Sequence, residues 1–248
     1  GLERFLYRYA DRVVVNSPGF IQHLQQRGAR QITLVPNGAD PDMFDPAADG
    51  SQFRVENGLE EKFVVLYAGA HGISNDLDVV LDAAELLRDE PSIRIVMLGS
   101  GKEKPRLVAE AEQRQLENLL FLPPVAKQDM AATLAGADAC LAILKPIEMF
   151  KTTYPNKVFD YMAAGRPVLL AIDGEIRKVV EEARAGLFVP PGNHHALADA
   201  IQAMAKDPVE CRKMGINGRI LIETRFSRAE LANQFALMVD EISQQNQD

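Results

Sequence analysis

Tryptophan is absent from the 248-residue sequence, cysteine occurs twice and histidine four times. No apolar run reaches the ~18 residues that a membrane-spanning helix needs. Cys140 and Cys211 lie far apart and lack zinc-type spacing, so they read as reduced thiols of a cytoplasmic protein. The histidines make no ligand cluster: His194 and His195 adjoin in "PPGNHHALA", which reads as a helix start, and no metal site is expected. A basic excess is missing too. Lys and Arg number 27 against 35 Asp and Glu, a net charge of −8, which argues against general affinity for nucleic acid. A secretory leader pattern is also missing, because "GLERFLYRYADR" is charged throughout. Its Leu2, Phe5, Leu6 and Tyr9 follow the helical period with arginines interleaved. Such a stripe packs against a neighbouring element in the simpler reading; in the other it lies on a membrane surface as a peripheral contact. The chain begins inside this pattern without an initiator methionine, as a piece of a longer protein would.

What is present is alternation. "RVVVNS", "QITLVPNG", "KFVVLYAG", "IRIVMLGSG", "NLLFLP", "ACLAIL", "PVLL" and "LFVPPG" read as strands, most of them followed by a helical pattern. Three helical stretches, near 193–206, 208–224 and 227–244, finish the chain. Strands that are apolar without alternation, each leading into a helix, predict an α/β protein with a Rossmann-like parallel sheet covered on both faces. "ADPDMFDPAADGSQ" loses the period and reads as a linker. In such sheets ligands bind beyond the carboxyl ends of the strands, in the loops entering helices.

Three loops are candidates. In "AGAHGISND" Gly69 and Gly72 permit a tight bend, and Asp76 can cap the following helix. "LGSGKEK" offers Gly99, Gly101 and a basic Lys102, but matches neither the Walker A spacing nor G-x-G-x-x-G. "TTYPNKVFDYMAAGRPVLL" is the most specific. Pro155 suits a helix start, and Val158, Phe159, Met162 and Ala163 fall toward a core. Thr153, Asn156, Lys157 and Asp160 share a polar face. Lys157 and Asp160 are either a solvated surface pair or, with the free amides of the helix start, a grip on an anionic group and sugar hydroxyls. The acidic pairs Asp40/Asp42 and Asp76/Asp78 are weak metal candidates, since they occupy a linker and a helix start.

The ordered set "RVVVNSPGF", "PNGADPDMF", "YAGAHGISNDLDVVLDAAELL", "LGSGKEKPRL", "PNKVFDYMAAGRPVL", "AGLFVPPGN" and "MGINGR…FSR" resembles the group 1 glycosyltransferases (glycosyltransferase family 4, GT-B fold) over almost the whole chain. It is most similar to the branch that builds bacterial surface polysaccharides, with N-acetylfucosamine-type transfer as the example. The resemblance implies two Rossmann-like lobes. Residues 1–44 would be the remnant of an N-terminal acceptor lobe whose larger part is missing, 45–59 a linker, 60–226 the nucleotide-sugar-binding lobe, and 227–248 a helix crossing back. It implies retaining transfer of a sugar from a nucleotide diphosphate, UDP by preference, to a glycan or lipid-linked acceptor, without cofactor or metal. The setting would be the cytoplasm or the inner face of the cytoplasmic membrane. It also implies that Asp160 holds the ribose and that the stretch Thr153, Tyr154, Pro155 and Asn156 approaches the pyrophosphate beside Lys157. Thr152 stands where the family has a carboxylate facing the donor sugar, with Glu148 as a substitute in another register. Ala70 and Asn75 stand where many members carry an Arg and a Lys for the diphosphate, which leaves charge neutralisation to Lys157 and Lys102. The rival readings are a nucleotide-sugar-binding module or subunit without catalysis, and a sugar-nucleotide epimerase.

Overall fold

A computed structural model describes residues 1–245. In chain order the helices are α1 (Leu2–Tyr9), α2 (Ile21–Gln26), α3 (Ser51–Glu56), α4 (Asp78–Leu86), α5 (Lys104–Gln113), α6 (Met130–Ala135), α7 (Asn156–Ala163), α8 (Glu175–Ala183), α9 (His194–Lys206), α10 (Pro208–Arg225) and α11 (Arg228–Gln245). The strands are β1 (Val13–Val15), β2 (Ile32–Leu34), β3 (Phe63–Ala68), β4 (Ile93–Leu98), β5 (Leu119–Leu122), β6 (Ala139–Ile143), β7 (Val168–Ala171) and β8 (Gly186–Phe188). β3 to β8 form one six-stranded parallel sheet in the order β5-β4-β3-β6-β7-β8, and β1 and β2 form a separate parallel pair.

The central strands are apolar along their whole length because both faces are covered. Leu66, Val96 and Cys140 face a core shared with α7 and α8; Val65, Ile95 and Leu141 face one shared with α4, α5 and α9. The strand order reverses between β3 and β6, so the loops after these two strands diverge and open a crevice at their carboxyl ends. α7 enters from the β6 side. It is pinned to β3 by Tyr161, whose hydroxyl accepts from the Ala68 amide at 3.0 Å and donates to the Ala68 carbonyl at 3.1 Å. Behind it, Gly215 and Gly218 let α10 lie directly on Gly165 and Met162.

Two expectations change. Residues 45–59, read as a linker, contain α3 and fold onto the large sheet. Arg54 donates to the Gly136 carbonyl at 2.9 Å and pairs with Asp138 at 2.5 Å, and Leu59 is buried. The Asp, Pro and Gly that erased the period here serve turns: Asp45 and Asp49 accept from the amides of Ala47 and Ser51. The stripe on α1 is not packed: Leu2, Phe5, Leu6 and Tyr9 are exposed, and Tyr7 alone of this helix joins the cluster around Val15 and Leu24. α11 runs beside the β1–β2 unit: Ser227 bridges to Ala39, and the Arg228 amide donates to the Ala39 carbonyl at 2.8 Å.

Candidate functional site

The crevice is built from the residues that end β3, β4 and β6. The loop after β3 pairs along its backbone with the loop after β4: Gly69 N–H donates to Leu98 O, His71 N–H to Ser100 O, and Glu103 N–H to His71 O, at 2.8 to 3.0 Å. Asn75 closes the first loop by donating to the Ala70 carbonyl at 2.9 Å. Asp76 does not cap α4 with its side chain, as expected from sequence; its backbone takes a left-handed φ of 49° and its carbonyl accepts from Val79. Across the crevice α7 starts behind Pro155, which has an extended backbone and leaves the first amides of the helix without a side-chain cap.

Lys157 and Asp160 do not pair with each other, and the shared polar face divides. Lys157 turns toward β3, its ammonium 4.1 Å from the centre of the Tyr67 ring. Gly69 makes room for it: a Cβ there would lie 2.6 Å from the Lys157 Nζ. Burial without a carboxylate partner lowers the Lys157 pKa to about 8. Asp160 turns the other way, into a cavity of about 400 Å³ lined by Phe44, Val125, Lys127, Met130, Asn156 and Arg228. Its Oδ1 is buried without a hydrogen-bond partner, and the nearest guanidinium, Arg228, is 3.9 Å away. Burial raises the Asp160 pKa to about 6, against the attraction of Arg228 and Lys127. A largely buried ammonium and a largely buried carboxylate thus flank one helix start, the first resting on the Tyr67 ring and the second facing Arg228 at 3.9 Å, and neither is hydrogen-bonded within the protein. Such groups are costly unless something else meets them.

Asn156 lines the Asp160 cavity and accepts from the Asn37 side chain at 2.9 Å. Thr152 and Thr153 turn their hydroxyls back onto Met149 O and Phe150 O, so neither points a free donor into the crevice. The Thr152 carbonyl instead accepts from the buried Ser17 at 2.6 Å, and Gly19 lies directly against it. The Tyr154 ring packs on Phe159 and Phe226, contributing core rather than a polar group. Gly72 is the bend before Ile73–Asn75, with no close neighbour but the Asn75 amide. Lys102 is exposed on its loop; the inward lysine is Lys104, which donates to Gly99 O and Leu122 O and ties the loop after β4 to the end of β5. Glu148 is exposed and paired with Lys151, so it takes no carboxylate role in the crevice.

Sequence reasoning passed over Tyr161, His71 and Arg228. Tyr161 lies outside the polar face read from the sequence, and its buried hydroxyl sets the helix on β3. His71 is fully buried between the rings of Tyr67 and Phe121, with neither ring nitrogen hydrogen-bonded, and its pKa is lowered to about 4 by burial and by Lys104 and Lys157. The signal was its place between two glycines in "GAHG". Arg228 sits in "FSR", distant in sequence from everything it touches. A second, larger cavity of about 1150 Å³ lies between β1, α2 and α11, and shares Asn156 and Arg228 with the smaller one.

Among the described residues no group of three or more His, Cys, Asp or Glu side chains is arranged to hold a metal ion. Asp40 caps its own turn by accepting from Asp42 and Met43, and Asp78 is held by Arg106 at 2.8 and 3.0 Å. Both thiols are buried, Cys140 with its pKa pushed up to about 12.

The model of the family described as "Glycosyl transferases group 1" matches residues 62–207. A D-inositol 3-phosphate glycosyltransferase of Nocardia farcinica is 29% identical over 227 residues, covering 86% of this chain and 49% of that protein. WcaI of Escherichia coli, named provisionally as a colanic acid biosynthesis glycosyl transferase, is 29% identical over 168 residues, covering 66% of this chain and 41% of its own length. The chain therefore spans about half the length of these relatives or less. Among solved structures, Anabaena HepE in complex with UDP superposes with a TM-score of 0.84 at 21% identity, over 95% of this chain and 65% of that one.

Proposed function

Since the chain belongs to the group 1 glycosyl transferases, we propose that it is the donor-binding part of a retaining enzyme that takes its sugar from a nucleotide diphosphate, with UDP as the nucleotide. The observation that carries the reading is the pair of charged groups at the start of α7 that no protein group hydrogen-bonds, Lys157 over the Tyr67 ring beside the Gly69 loop and Asp160 with a buried, unbonded Oδ1 in the cavity faced by Arg228. The ribose hydroxyls donate to Asp160, and Phe44, Val125 and Met130 give the nucleoside an apolar wall. The diphosphate lies between the Gly69 loop and the open amides of α7, where Lys157 offsets the charge that grows on it as the sugar leaves. Thr152 is the residue of the motif nearest the sugar end in this reading, acting through its backbone rather than a carboxylate. Lys102, exposed on its loop, serves in this reading only as a charge at the rim. No metal is required, because the cation and the helix amides stand where one would act. The UDP of the HepE complex and the colanic acid biosynthesis named for WcaI support a UDP-sugar and a role in surface polysaccharide synthesis. A glycan or lipid-linked acceptor would meet the donor from the side of β1 and β2.

The second reading is a nucleotide-sugar-binding module that needs a partner lobe for turnover. Calorimetric titration with UDP, ADP and GDP, without added metal, tests the nucleotide assignment, and UDP is expected to bind best. Lys157→Ala is expected to weaken UDP roughly 10-fold or more, the loss of one charge-assisted contact. Unchanged UDP affinity in that variant removes Lys157 from the site. Turnover by the same chain with UDP-sugars and acceptor hydroxyls separates the enzyme from the module.

A further inference from the structure

We propose that Arg228 is a positioning residue of the nucleoside cavity: its guanidinium, anchored on the backbone of residues 37 and 38, supplies the charge that holds the Asp160 carboxylate toward the ligand. The inference rests on the ribose role given to Asp160 above.

Arg228 is the first residue of α11, and its own amide is tied to Ala39 O. Its side chain donates to Asn37 O at 3.5 Å and Gly38 O at 3.2 Å. This anchor depends on Gly38, which has a φ of 57° and lies so close to the Phe226 carbonyl that a Cβ would collide with it. The guanidinium stops 3.9 Å short of Asp160 Oδ1, outside hydrogen-bond reach, so the oxygen stays open to another donor while remaining in the field of the cation. With Asn156, Arg228 forms the wall between the two cavities, so whatever moves α11 or residues 37–39 also moves the charge that faces the ligand. The other groups facing Asp160 are Lys127, from the turn before α6, and the buried hydroxyl of Tyr161 on α7. Arg228 is the larger of the two cationic influences on Asp160.

The test is UDP affinity by calorimetry from pH 5 to 9 for the wild-type chain, Arg228→Gln, Arg228→Lys and Lys127→Gln. Arg228→Gln is expected to move the acid limb of the profile upward by about half a pH unit or more and to leave the alkaline limb in place, with Arg228→Lys restoring the wild-type limb. Lys127→Gln moves the limb less. In the wild-type chain, 1 M salt moves it the same way by screening the half-exposed guanidinium, a measurement that needs no variant. An acid limb that stays put in Arg228→Gln and in high salt overturns the proposal, as does a uniform loss of affinity at every pH that Arg228→Lys fails to rescue. If Asp160→Asn leaves UDP affinity intact, the ribose reading itself fails. If Asp160→Asn weakens UDP while Arg228→Gln moves no limb, only the present inference fails.

Discussion

Asp160→Asn should make the ligand-free protein more stable and a poorer nucleotide binder at the same time. The native carboxylate has a pKa raised from 3.8 to about 6 by burial. A raised folded pKa means the native state favours the protonated acid. The associated stability is fully present below pH 3.8 and is lost as pH rises through about 6. At pH 7 that loss has an upper bound of about 3 kcal/mol, from roughly 1.4 kcal/mol per pH unit. The side chain is 28% exposed and feels Arg228, so a realised gain of about 1–2 kcal/mol on neutralisation is the reasonable expectation. In a chain of this size that is about 2–8 °C in melting temperature. UDP affinity should fall about 10- to 100-fold, the range for hydrogen bonds to a charged acceptor.

Thermal melts of wild type and variant, with and without UDP, at pH 7 and pH 5, read both effects. At pH 5 the wild-type carboxyl is protonated, so the stability advantage of Asn should shrink. A variant less stable than wild type at pH 7 would make Asp160 a structural residue. A variant more stable but unchanged in UDP affinity would show that the strain serves some other ligand.

UDP affinity should follow a bell in pH, because the complex needs Asp160 ionised and Lys157 protonated. The limbs are expected near pH 6 and pH 8, each approaching 10-fold per unit, and calorimetry that finds no alkaline decline in the wild type, or one that survives in Lys157→Ala, refutes the role of Lys157. Gly69→Ala should place a methyl group 2.6 Å from the Lys157 Nζ and displace the flexible ammonium, with added backbone strain because Gly69 has a φ of 154°. UDP affinity is then expected to drop about as far as in Lys157→Ala, and the two changes combined should be little worse than either; full additivity would separate the glycine from the lysine.

The sheet was legible in the sequence because buried parallel strands leave uninterrupted apolar runs, and each of β3 to β8 stands where such a run occurs. α7 was legible for a different reason: Pro155 and Gly165 punctuate a short helix whose buried residues, Val158, Phe159 and Met162, keep the helical period. α3 was not, since its six residues are too few to establish a period among the turn-forming residues around them. Within the site, periodicity placed Asn156, Lys157 and Asp160 near each other but could not show that they part, because the direction of a lysine depends on a space left by Gly69, far away in sequence. Lys102 was preferred over Lys104 by its neighbouring glycines, whereas the packing of β4 against β5 turns Lys104 inward. Arg228 and Ser17 were beyond reach for the same reason: their partners lie at separations that no local pattern records.

The two ionisable groups also explain why the site should be read as a receptor and not as a failed ion pair. Lys157 and Asp160 lie three residues apart on a helix, where a solvated pair would gain a few tenths of a kcal/mol and leave both pKa values near normal. Instead Lys157 has its pKa lowered and Asp160 has it raised. For Lys157 the lost stability returns only as pH climbs through about 8 toward 10.5; for Asp160 it returns only as pH falls through about 6. Between those values both groups are charged and both burdens are carried together, so this local contribution is least favourable in the same window where a ligand carrying hydroxyls and phosphates would bind best. A structural pair would relax by rotating two side chains toward each other. Tyr67 and Gly69 hold the lysine on one side and the Arg228 wall keeps the aspartate on the other, which leaves an occupant between them as the way to relieve both.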